Sequence, residues 1–298
     1  MITNFSVRIG VCNFAVTQVN HSDGEEAMTT AGAPPLIRLT DVTKRFATPK
    51  GGVYTAIEHF SMSVQAGEFA TVVGPTGCGK STTLGLISGL SRPSEGTVEV
   101  NGKRVDGISP GTGYVFQTDA VFPWKSVLDN VAAGPRYQGR SSREAREMAR
   151  EWIARVGLGG FEDRYPHQLS GGMRKRVALA ASLINQPSIL LMDEPFSALD
   201  VQTRVLMENE LLTLWSDTSA AVVFVTHDLE EAIALADRVF VLTSGPASVK
   251  SDYAIDLPRP RDVSEIRFMP DFVRYYEAIW NDLREEVLRS YELSKRAG

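Results

Sequence analysis

The chain has 298 residues, 43% hydrophobic and 22% charged, with a net charge of −5 and a pI near 5.5, a composition typical of a globular protein with a full core. This composition argues against nucleic acid as a partner, because no cluster of Lys and Arg alternates with aromatic residues. A membrane-spanning helix and a disulfide framework are also excluded, since no apolar run approaches roughly 20 residues and the cysteines are Cys12 and Cys78 alone.

Residues 1–35 are predicted to be a flexible leader. Asn, Ser and Arg interrupt its first part before an apolar stretch of signal-peptide length can form. Residues 21–35 are rich in Ser, Gly, Glu, Thr, Ala and Pro, a composition that buries too little apolar surface to become ordered. Met28 stands just ahead of the expected folded region. We hypothesise that translation begins there, so that residues 1–27 are not translated; a native protein whose intact mass includes them would contradict this.

Short apolar segments separated by helical patterns predict the α/β class. Leu36 to Leu39 opens the ordered region, and residues 61–74, SMSVQAGEFATVVG, alternate and then become continuously apolar, as a buried central strand does. Asn101 and Gly102 between two alternating runs are typical of a hairpin with a type I′ turn, which adds an antiparallel β element. The pattern as a whole indicates a covered, mainly parallel sheet. Four further segments are predicted strands: GYVFQ (113–117), SILLMD (188–193), AAVVFV (220–225) and RVFVLT (238–243).

A helical insertion is predicted between about residues 125 and 185. Within it Ser141 begins a helix, and Glu144 three residues later completes a capping box. The periodic apolar pattern continues to Val156, and Gly157 ends it. The insertion is therefore expected to form a helical subdomain beside the sheet.

Residues 246–298 are predicted to form a C-terminal tail that contains an amphipathic helix. After Pro258 and Pro260 this helix begins near Asp271, and apolar residues then recur at helical spacing. We expect the apolar face to pack on the core; the alternative is a helix that binds a partner. The residues of this face are Phe272, Tyr276, Ile279, Leu283 and Val287.

The run GPTGCGKST fits the phosphate-loop pattern G-x-x-x-x-G-K-[ST], and it stands between a predicted buried strand and a helix. Its glycines let successive backbone N–H groups surround a phosphate at the positive end of that helix. Lys80 is expected to neutralise phosphate oxygens, and Ser81 to supply a Mg²⁺ ligand. Cys78 is either a redox switch or, as we expect, a small residue that fits the loop. The predicted nucleotide contacts are Gly74, Pro75, Thr76, Gly77, Cys78, Gly79, Lys80, Ser81 and Thr82.

Polar side chains are expected where three other strands end, at the sheet edge where α/β proteins bind ligands. The segment SILLMDE ends in Asp193, predicted to hold Mg²⁺, and Glu194, predicted to be the general base that polarises the attacking water. His227 ends the strand of FVTHD and is predicted to lie beside the γ-phosphate. Gln117 closes GYVFQ, and its amide is predicted to bridge metal and water. The predicted catalytic residues are Glu194, His227 and Gln117, and the predicted metal ligands are Ser81, Gln117 and Asp193.

With LSGG and SALD in the same order as these motifs, the chain resembles the nucleotide-binding subunit of an ATP-binding cassette (ABC) transporter over residues 36–245. The resemblance implies the ABC ATPase fold, a phosphate-loop core with an antiparallel β subdomain and a helical insertion, and it implies ATP and Mg²⁺ as cofactors. Ser170 and the N–H groups of Gly171 and Gly172 open a helix and form a second anion site. In this family that turn binds the γ-phosphate held by a second copy, so two ATP molecules lie within a head-to-tail dimer.

The resemblance also implies roles in adenine binding and at the dimer interface for further residues. Phe46 matches the aromatic residue that stacks on adenine, with Tyr54 as the alternative. Asp200, at the end of the SALD turn, is expected to cross the dimer interface and to communicate between the two sites. The LSGG motif (residues 169–172) is the family's signature, and its fifth position, Met173, is commonly Gln in the family. This departure leaves the expected phosphate contacts of Ser170 and Gly172 intact but removes the side chain that usually makes a contact from position 173.

The segment after Gln117 is predicted to meet a membrane permease. Val121, Phe122, Pro123 and Trp124 follow a residue that senses the γ-phosphate, and exposed aromatic residues there would receive the coupling helix of a permease. The alternative is that the two aromatic residues pack against the helical insertion. The runs FQTDAVFPW, YPHQLSGGMRKR and FMPDFVRYYEAIWNDLR are similar to those of the nitrate, sulfonate and taurine importer group.

The resemblance implies an ATPase that powers import of a small solute, of the sulfonate, taurine or nitrate type, through a separate permease. An extracytoplasmic solute-binding protein would deliver the solute, and the chain would lie on the cytoplasmic face of the inner membrane, held there by the permease. One alternative is an exporter or lipid-transport ATPase, whose chemistry is the same. The other is a soluble ABC ATPase acting on nucleic acid or the ribosome, which is disfavoured because the chain has one cassette and two cysteines.

Overall fold

The computed structural model describes residues 34–49, 51–118 and 120–297. The predicted leader, with Met28, lies outside these residues except for positions 34 and 35. The described part of the chain forms ten strands: β1 (Ile37–Ala47), β2 (Val53–Val64), β3 (Phe69–Val73), β4 (Glu95–Val100), β5 (Lys103–Arg104), β6 (Thr112–Val115), β7 (Ile189–Asp193), β8 (Ala221–Thr226), β9 (Arg238–Leu242) and β10 (Val249–Ala254). It also forms nine α-helices: α1 (Lys80–Ser88), α2 (Val127–Val131), α3 (Ala133–Tyr137), α4 (Ser142–Arg155), α5 (Gly171–Leu183), α6 (Val201–Ser216), α7 (Leu229–Leu235), α8 (Val263–Ile266) and α9 (Pro270–Ala297).

Six strands form the main sheet, in the order β10-β9-β3-β8-β7-β6. The five strands from β9 to β6 run parallel to one another, and β10 pairs antiparallel with β9 at one edge. Valine, leucine, isoleucine and phenylalanine fill the central strands, which are buried on both faces, as parallel strands between two layers are. The predicted α/β class with a mainly parallel sheet is confirmed.

Four strands form a second, antiparallel sheet in the order β2-β1-β4-β5. Asn101 (φ 52°) and Gly102 (φ 67°) join β4 to β5 in the left-handed conformations of a type I′ turn, so the predicted hairpin is confirmed. The prediction of one strand over residues 61–74 was wrong, because this run crosses from the second sheet to the main one. Its first part ends β2 at Val64, Gly67 (φ 71°) turns the chain, and the rest forms β3.

The two faces of the main sheet belong to two separate cores. Along β3, Phe69 and Val73 face one core, whereas Ala70 and Val72 face the other, as the two-residue repeat of a strand requires. The first core contains residues of the helical insertion and of α6, α7 and α9. The second core lies between the main sheet, α1 and the antiparallel sheet. Packing on both faces of β3 fixes the start of the loop that follows it.

Helices α2 to α5 lie between Val127 and Leu183, within the range predicted for the insertion. The predicted capping box opens α4: the backbone N–H of Glu144 donates to Ser141 Oγ at 3.2 Å, and the backbone N–H of Ser141 donates to Glu144 Oε2 at 3.1 Å. The helix ends at Arg155, and Gly157 follows with a φ of 67°.

The tail helix α9 packs on the first core with a face that differs slightly from the predicted one. Tyr276 is half-buried and Val287 is exposed. Glu286 is buried in place of Val287, because its carboxylate accepts hydrogen bonds from the backbone and hydroxyl of Ser244 and pairs with Lys250 at 3.2 Å. Three predicted members of the face are buried: Phe272, Ile279 and Leu283.

Candidate functional site

The carboxyl ends of four neighbouring parallel strands meet at one edge of the main sheet. In the spatial order β6, β7, β8 and β3, these strands lead into Gln117, the Asp193-Glu194 pair, His227 and Gly74. Adjacent strands are only about 4.8 Å apart, so residues that are distant in sequence become neighbours. This edge is the one at which open α/β sheets bind ligands.

Lys80, the first residue of α1, turns back over the loop that precedes it. Its Nζ donates to the carbonyl oxygens of Gly74 at 2.9 Å and Pro75 at 3.0 Å, so the ammonium group is held against the loop. The first backbone N–H groups of α1 have no partner within the helix, and the helix dipole adds positive potential at the same end. The loop therefore combines a fixed cation with free N–H donors, as a phosphate site requires.

Two glycines of the loop are required for different reasons. Gly79 has a φ of 122°, and a Cβ at this position would lie 3.0 Å from the carbonyl oxygen of Ala56. Gly77 has a φ of 77° but open space around it, so the backbone conformation alone requires glycine there. The open side at Gly77 leaves room for a ligand to approach the backbone.

Cys78 lies behind the loop rather than in the cleft. Its side chain is buried, and a Cβ added at Gly74 would come within 2.9 Å of its sulfur. Burial raises the pKa of the Cys78 thiol, and Lys80 only partly opposes this effect. Because the thiolate is the reactive form, the packing supports the interpretation of Cys78 as a small loop residue over a redox switch.

Ser81 and Asp193 form the part of the site that is suited to Mg²⁺. Ser81 Oγ donates to Asp193 Oδ1 at 3.0 Å, and neighbouring ligands of an octahedral Mg²⁺ bound at about 2.1 Å are themselves about 3 Å apart. Burial raises the pKa of Asp193, and the charge of Glu194 raises it further, whereas Ser81 and Lys80 lower it. A bound cation would favour the ionised carboxylate. Gln117, the third predicted ligand, donates its side-chain N–H to Glu194, and its Oε1 is the atom that would bind Mg²⁺.

Glu194 is the point at which the predicted catalytic residues meet. Gln117 Nε2 donates to Glu194 Oε2 at 3.3 Å, and His227 Nδ1 lies 3.0 Å from the same oxygen. The backbone of Glu194 has a φ of 41°, a left-handed conformation that costs of the order of 1–3 kcal/mol outside glycine and that is enriched at active sites. This turn re-aims the side chain directly after β7, so that one carboxylate oxygen faces both polar neighbours.

A cleft of about 460 Å³ opens beside these groups. Phe46 and Tyr54 are paired across β1 and β2, and they form one wall with 40% and 49% of their surfaces exposed. Both predicted candidates for stacking on adenine thus line the cleft. Gln117, Glu194 and His227 also line it. The predicted loop residues that line it are Thr76, Gly77, Gly79, Lys80, Ser81 and Thr82.

The signature turn, Ser170 to Gly172, lies elsewhere on the molecule. Ser170 is the N-cap of α5, and its Oγ accepts the backbone N–H of Met173 at 3.3 Å. Ser170 is exposed, and none of the described residues 169–176 lines the cleft of this chain. Met173 is half-buried against the first core, which explains how an apolar side chain is accommodated at the fifth signature position.

Asp200 also lies outside the cleft, as the N-cap of α6. Its carboxylate accepts the backbone N–H of Thr203 at 3.0 Å and the Thr203 hydroxyl at 2.7 Å, and these bonds lower the pKa of Asp200. In this chain Asp200 therefore holds the start of a helix, and its predicted role between two copies stays a prediction.

Two basic residues behind the site were not predicted. Lys175 is buried, and its Nζ donates to the backbone carbonyl oxygen of Gln117 at 2.7 Å. Arg204 pairs at 2.8 Å with Asp228, the residue directly after His227. Each contact joins a helix to a loop that is distant in sequence, so no local pattern reveals it. The basic run that follows the signature was the available signal for Lys175.

The class of protein follows from the position of these groups. A helix N-terminus that can bind phosphate stands beside a carboxylate that can take a proton from water, an arrangement found in phosphate-loop ATPases. Comparison with known proteins then identifies the family. Residues 57–197 match the family model described as ABC transporter.

Relatives match over most of the chain. A nitrate import ATP-binding protein of Synechocystis sp. is 41% identical over 83% of this chain and 95% of its own length. A bicarbonate transport ATP-binding protein of Synechococcus elongatus is 41% identical, with 81% and 87% covered. A taurine import ATP-binding protein of Jannaschia sp. is 36% identical, with 87% and 98% covered. The chain belongs to the family of ABC transporter ATP-binding proteins, and it is an ATPase.

The fold agrees with a solved structure of an ATP-binding cassette, a dimeric post-hydrolysis state bound to ADP and Pi. The TM-score is 0.66 with 30% sequence identity, and the match covers 74% of this chain and all of that one. The expected ABC ATPase fold is confirmed by this likeness.

Proposed function

We propose that this chain hydrolyses ATP to power import of a small anionic or zwitterionic solute through a separate permease. The observation that carries the proposal is the similarity, at 36–41% identity, to import and transport ATP-binding proteins whose names specify nitrate, bicarbonate and taurine. These three solutes are small and share an oxyanion group. The relatives favour import over the exporter and lipid-transport alternatives, and they widen the solute class beyond nitrate and sulfonates.

In the proposed reaction Glu194 accepts the proton of the attacking water. His227 and Gln117 hold its carboxylate from two sides, and their contacts at 3.0 and 3.3 Å keep the oxygen aimed at the cleft. Lys80 exchanges its bonds with the loop carbonyls for bonds with phosphate oxygens. Mg²⁺, held by Ser81 and Asp193, would neutralise charge on the phosphates.

A second copy would complete each site. The signature turn presents an exposed N-cap and a helix N-terminus but lies apart from the cleft of its own chain. A two-fold axis would bring it over the phosphate loop of a partner copy, with Asp200 near the shared boundary. The dimeric state of the similar cassette structure supports this assembly.

The proposed permease contact is an aromatic surface formed by Phe122 and Trp124, which follow Gln117, together with Tyr137 of α3. Trp124 is 72% exposed and Tyr137 is 79% exposed, whereas Val121 packs against the first core. Asn130, which is buried, holds this surface in shape, because its side chain bonds the backbone of Phe122, Lys125 and Ser126. Lys125 lies over the ring of Phe122, with Nζ 4.2 Å from the ring centroid. These exposures favour docking over packing against the insertion.

The proposal also fixes where the chain works. None of the helices in the described residues is both long and apolar enough to cross a bilayer. The importer-type relatives support a location at the cytoplasmic face of the inner membrane, where a permease would hold the ATPase and a solute-binding protein would deliver the solute on the other side.

The catalytic part of the proposal is tested with Glu194→Gln. Loss of the general base should lower kcat by roughly 10²- to 10⁴-fold while ATP binding persists, and the variant should accumulate as a closed dimer with ATP. Glu151→Gln, an exposed change on α4, is the matched control and should behave as wild type. Steady-state turnover and size-exclusion chromatography with ATP measure both effects. Wild-type turnover in Glu194→Gln would refute the assignment.

The transport part is tested by isolating the chain from membranes with whatever it binds. We expect an integral membrane permease to co-purify, and a solute-binding protein of the same system to bind an oxyanion such as nitrate, bicarbonate or a sulfonate. Trp124→Ala should weaken this co-purification without changing the ATPase rate of the isolated chain. A co-purifying partner without membrane-spanning helices would argue against the proposal.

A further inference from the structure

Arg204 lies near the start of α6 and contacts two separate turns. Its Nη1 pairs with Asp228 Oδ2 at 2.8 Å, and its Nη2 donates to the carbonyl oxygen of Leu199 at 3.3 Å. Asp228 directly follows His227, and Leu199 lies in the turn that begins at Glu194. One guanidinium group therefore connects the turn of the proposed base to the turn of the proposed γ-phosphate contact.

The Asp228 end of this connection is rigid. Asp228 Oδ1 caps α7 by accepting the backbone N–H groups of Glu230 at 3.0 Å and Glu231 at 3.2 Å. Its other oxygen, Oδ2, is the one that Arg204 binds. Because both oxygens are engaged, the carboxylate cannot turn freely, and the backbone at His227 is held with it.

The Leu199 end is also well defined. The backbone carbonyl of Glu194 accepts the N–H of Ser197 at 3.3 Å and the Ser197 hydroxyl at 3.0 Å. The N–H of Leu199 then donates to the carbonyl oxygen of Phe196 at 3.0 Å, and the Phe196 side chain is buried in the first core. Movement at Leu199 would therefore be passed along a hydrogen-bonded turn to Glu194.

A direct contact closes the path, since His227 Nδ1 lies 3.0 Å from Glu194 Oε2. The contacts form a ring through Glu194, Leu199, Arg204, Asp228 and His227. The ion pair in this ring is partly shielded from solvent, with 22% of the Arg204 side chain and 32% of the Asp228 side chain exposed. Such a pair is screened less by salt than an exposed one and has a defined geometry.

We propose that Arg204 is a positioning residue for ATP hydrolysis, which holds His227 at the correct distance from Glu194 by bridging Asp228 and Leu199. The inference rests on the proposed roles of Glu194 and His227. Arg204 does not line the cleft, so it acts through these residues and not on the nucleotide. Through its bond to Leu199, Arg204 also connects Glu194 and His227 to the turn that contains Asp200.

The test uses the full-length chain with Arg204→Met, Arg204→Lys and Asp228→Asn. Arg204→Met removes both contacts, and kcat should fall roughly 10- to 100-fold because small displacements of catalytic groups have effects of this size. The KM for ATP should change by less than about 2-fold, because Arg204 does not contact the nucleotide and its loss should not weaken ATP binding in the ground state. Arg204→Lys should recover part of the lost kcat. Asp228→Asn keeps the cap oxygen but removes the charge, and should lower kcat in the same way.

Arg146→Met is the matched control, because Arg146 forms an ion pair of the same length, 2.8 Å, with Asp129 in the helical insertion. Its kcat should equal that of wild type. The double variant Arg204→Met with Asp228→Asn should be no slower than Arg204→Met alone, because both changes break the same pair. Additive losses would show that Arg204 acts by another route and would overturn the inference.

Glu194→Gln and His227→Ala, measured alongside, separate this inference from the proposed function. If both lose turnover while Arg204→Met keeps wild-type kcat, the inference fails and the proposed function stands. If either keeps wild-type turnover, the proposed role of that residue fails, and the inference fails with it. A fall of kcat with a parallel rise of KM and a loss of thermal stability in Arg204→Lys and Asp228→Asn would indicate a merely structural role.

Discussion

The phosphate loop and the signature turn are both glycine-containing entries into a helix, but their surroundings differ. The phosphate loop follows a strand that is buried on both faces, and its lysine is held by two loop carbonyls. Aromatic residues and a glutamate line the cleft beside it. The signature turn has a serine cap and an exposed surface, and none of the described residues around it lines that cleft.

The difference shows that a helix N-terminus is not by itself a nucleotide site. The phosphate loop becomes one because other strand ends supply Asp193, Glu194 and His227 at the same edge of the sheet. The signature turn has the N–H donors and the dipole, but none of the described residues 169–176 joins the cleft that these side chains surround. This division of parts is what a site shared between two copies requires.

The largest expected effect on the ATPase rate comes from inactivating the phosphate loop in one variant and the signature turn in another, and then mixing the two variants. Lys80→Met should abolish hydrolysis by removing the cation at the phosphate loop. Gly171→Asp should abolish it from the other side, by placing a carboxylate where phosphate is expected to bind. The added side chain has space, because the nearest atoms to a Cβ at Gly171 are 3.9 and 4.0 Å away. An acidic residue in the first turn of α5 should also favour the helix, so folding is preserved.

Mixing these two inactive variants should restore activity, because in a mixed dimer one site receives an intact phosphate loop and an intact signature turn. The control is a mixture of Lys80→Met with Glu194→Gln, both of which damage the phosphate-loop half, so that neither site of the mixed dimer is intact. ATPase rates of the mixtures measure the outcome. Restoration in the control, or its absence in the test mixture, would contradict a divided site.

The elements that could be predicted from the sequence are those in which neighbouring residues determine the structure. The turn at Asn101-Gly102 and the cap of Ser141 with Glu144 are local, and so is the loop around Lys80. Strands that end in polar residues were predicted for the same reason. Because parallel strands align their carboxyl ends, local predictions were enough to bring Gln117 and Glu194 together.

The elements that could not be predicted depend on contacts between distant segments. Strand β10 has the mixed sequence VKSDYA, and its polar side chains become compatible with burial only because Ser251 and Tyr253 bond Asp282 of α9. Arg261 belongs to a residue type that is usually exposed, yet it is buried and donates to five backbone carbonyl oxygens, three at the end of α7 and two in the segment after β10. Arg204 was missed for the same reason.

A smaller effect is expected at the aromatic wall of the phosphate-loop half. If Phe46 stacks on adenine, Phe46→Ala should raise the KM for ATP by about 2- to 10-fold, the size of an aromatic stacking contribution, with little change in kcat. Tyr54→Ala should then have the weaker effect. A variant of the signature half should instead lower kcat, since it acts when the two copies close. Steady-state kinetics over a range of ATP concentrations separates these outcomes, and the larger KM effect in Tyr54→Ala would reverse the assignment of the two residues.

The smallest effect concerns stability within the signature turn. A Cβ at Gly172 would lie 3.1 Å from the γ-methyl carbon of Thr203 in α6, whereas a Cβ at Gly171 has only ordinary contacts. Gly171→Ala should therefore stabilise the fold by up to about 1 kcal/mol through helix propensity, and Gly172→Ala should gain less or lose stability. Urea denaturation measures the difference.

Thr203→Ser decides whether this contact is the cause. Serine removes the methyl group but keeps the hydroxyl that donates to Asp200 at 2.7 Å, so the cap of α6 is preserved. In that background Gly172→Ala should approach the stability gain of Gly171→Ala, because two residues in contact have non-additive effects. Unchanged destabilisation would mean that the turn is constrained at Gly172 by its backbone. In that case Gly171 would still tolerate a side chain and remain available to a partner copy, whereas the backbone conformation at Gly172, and not its contact with α6, would exclude one.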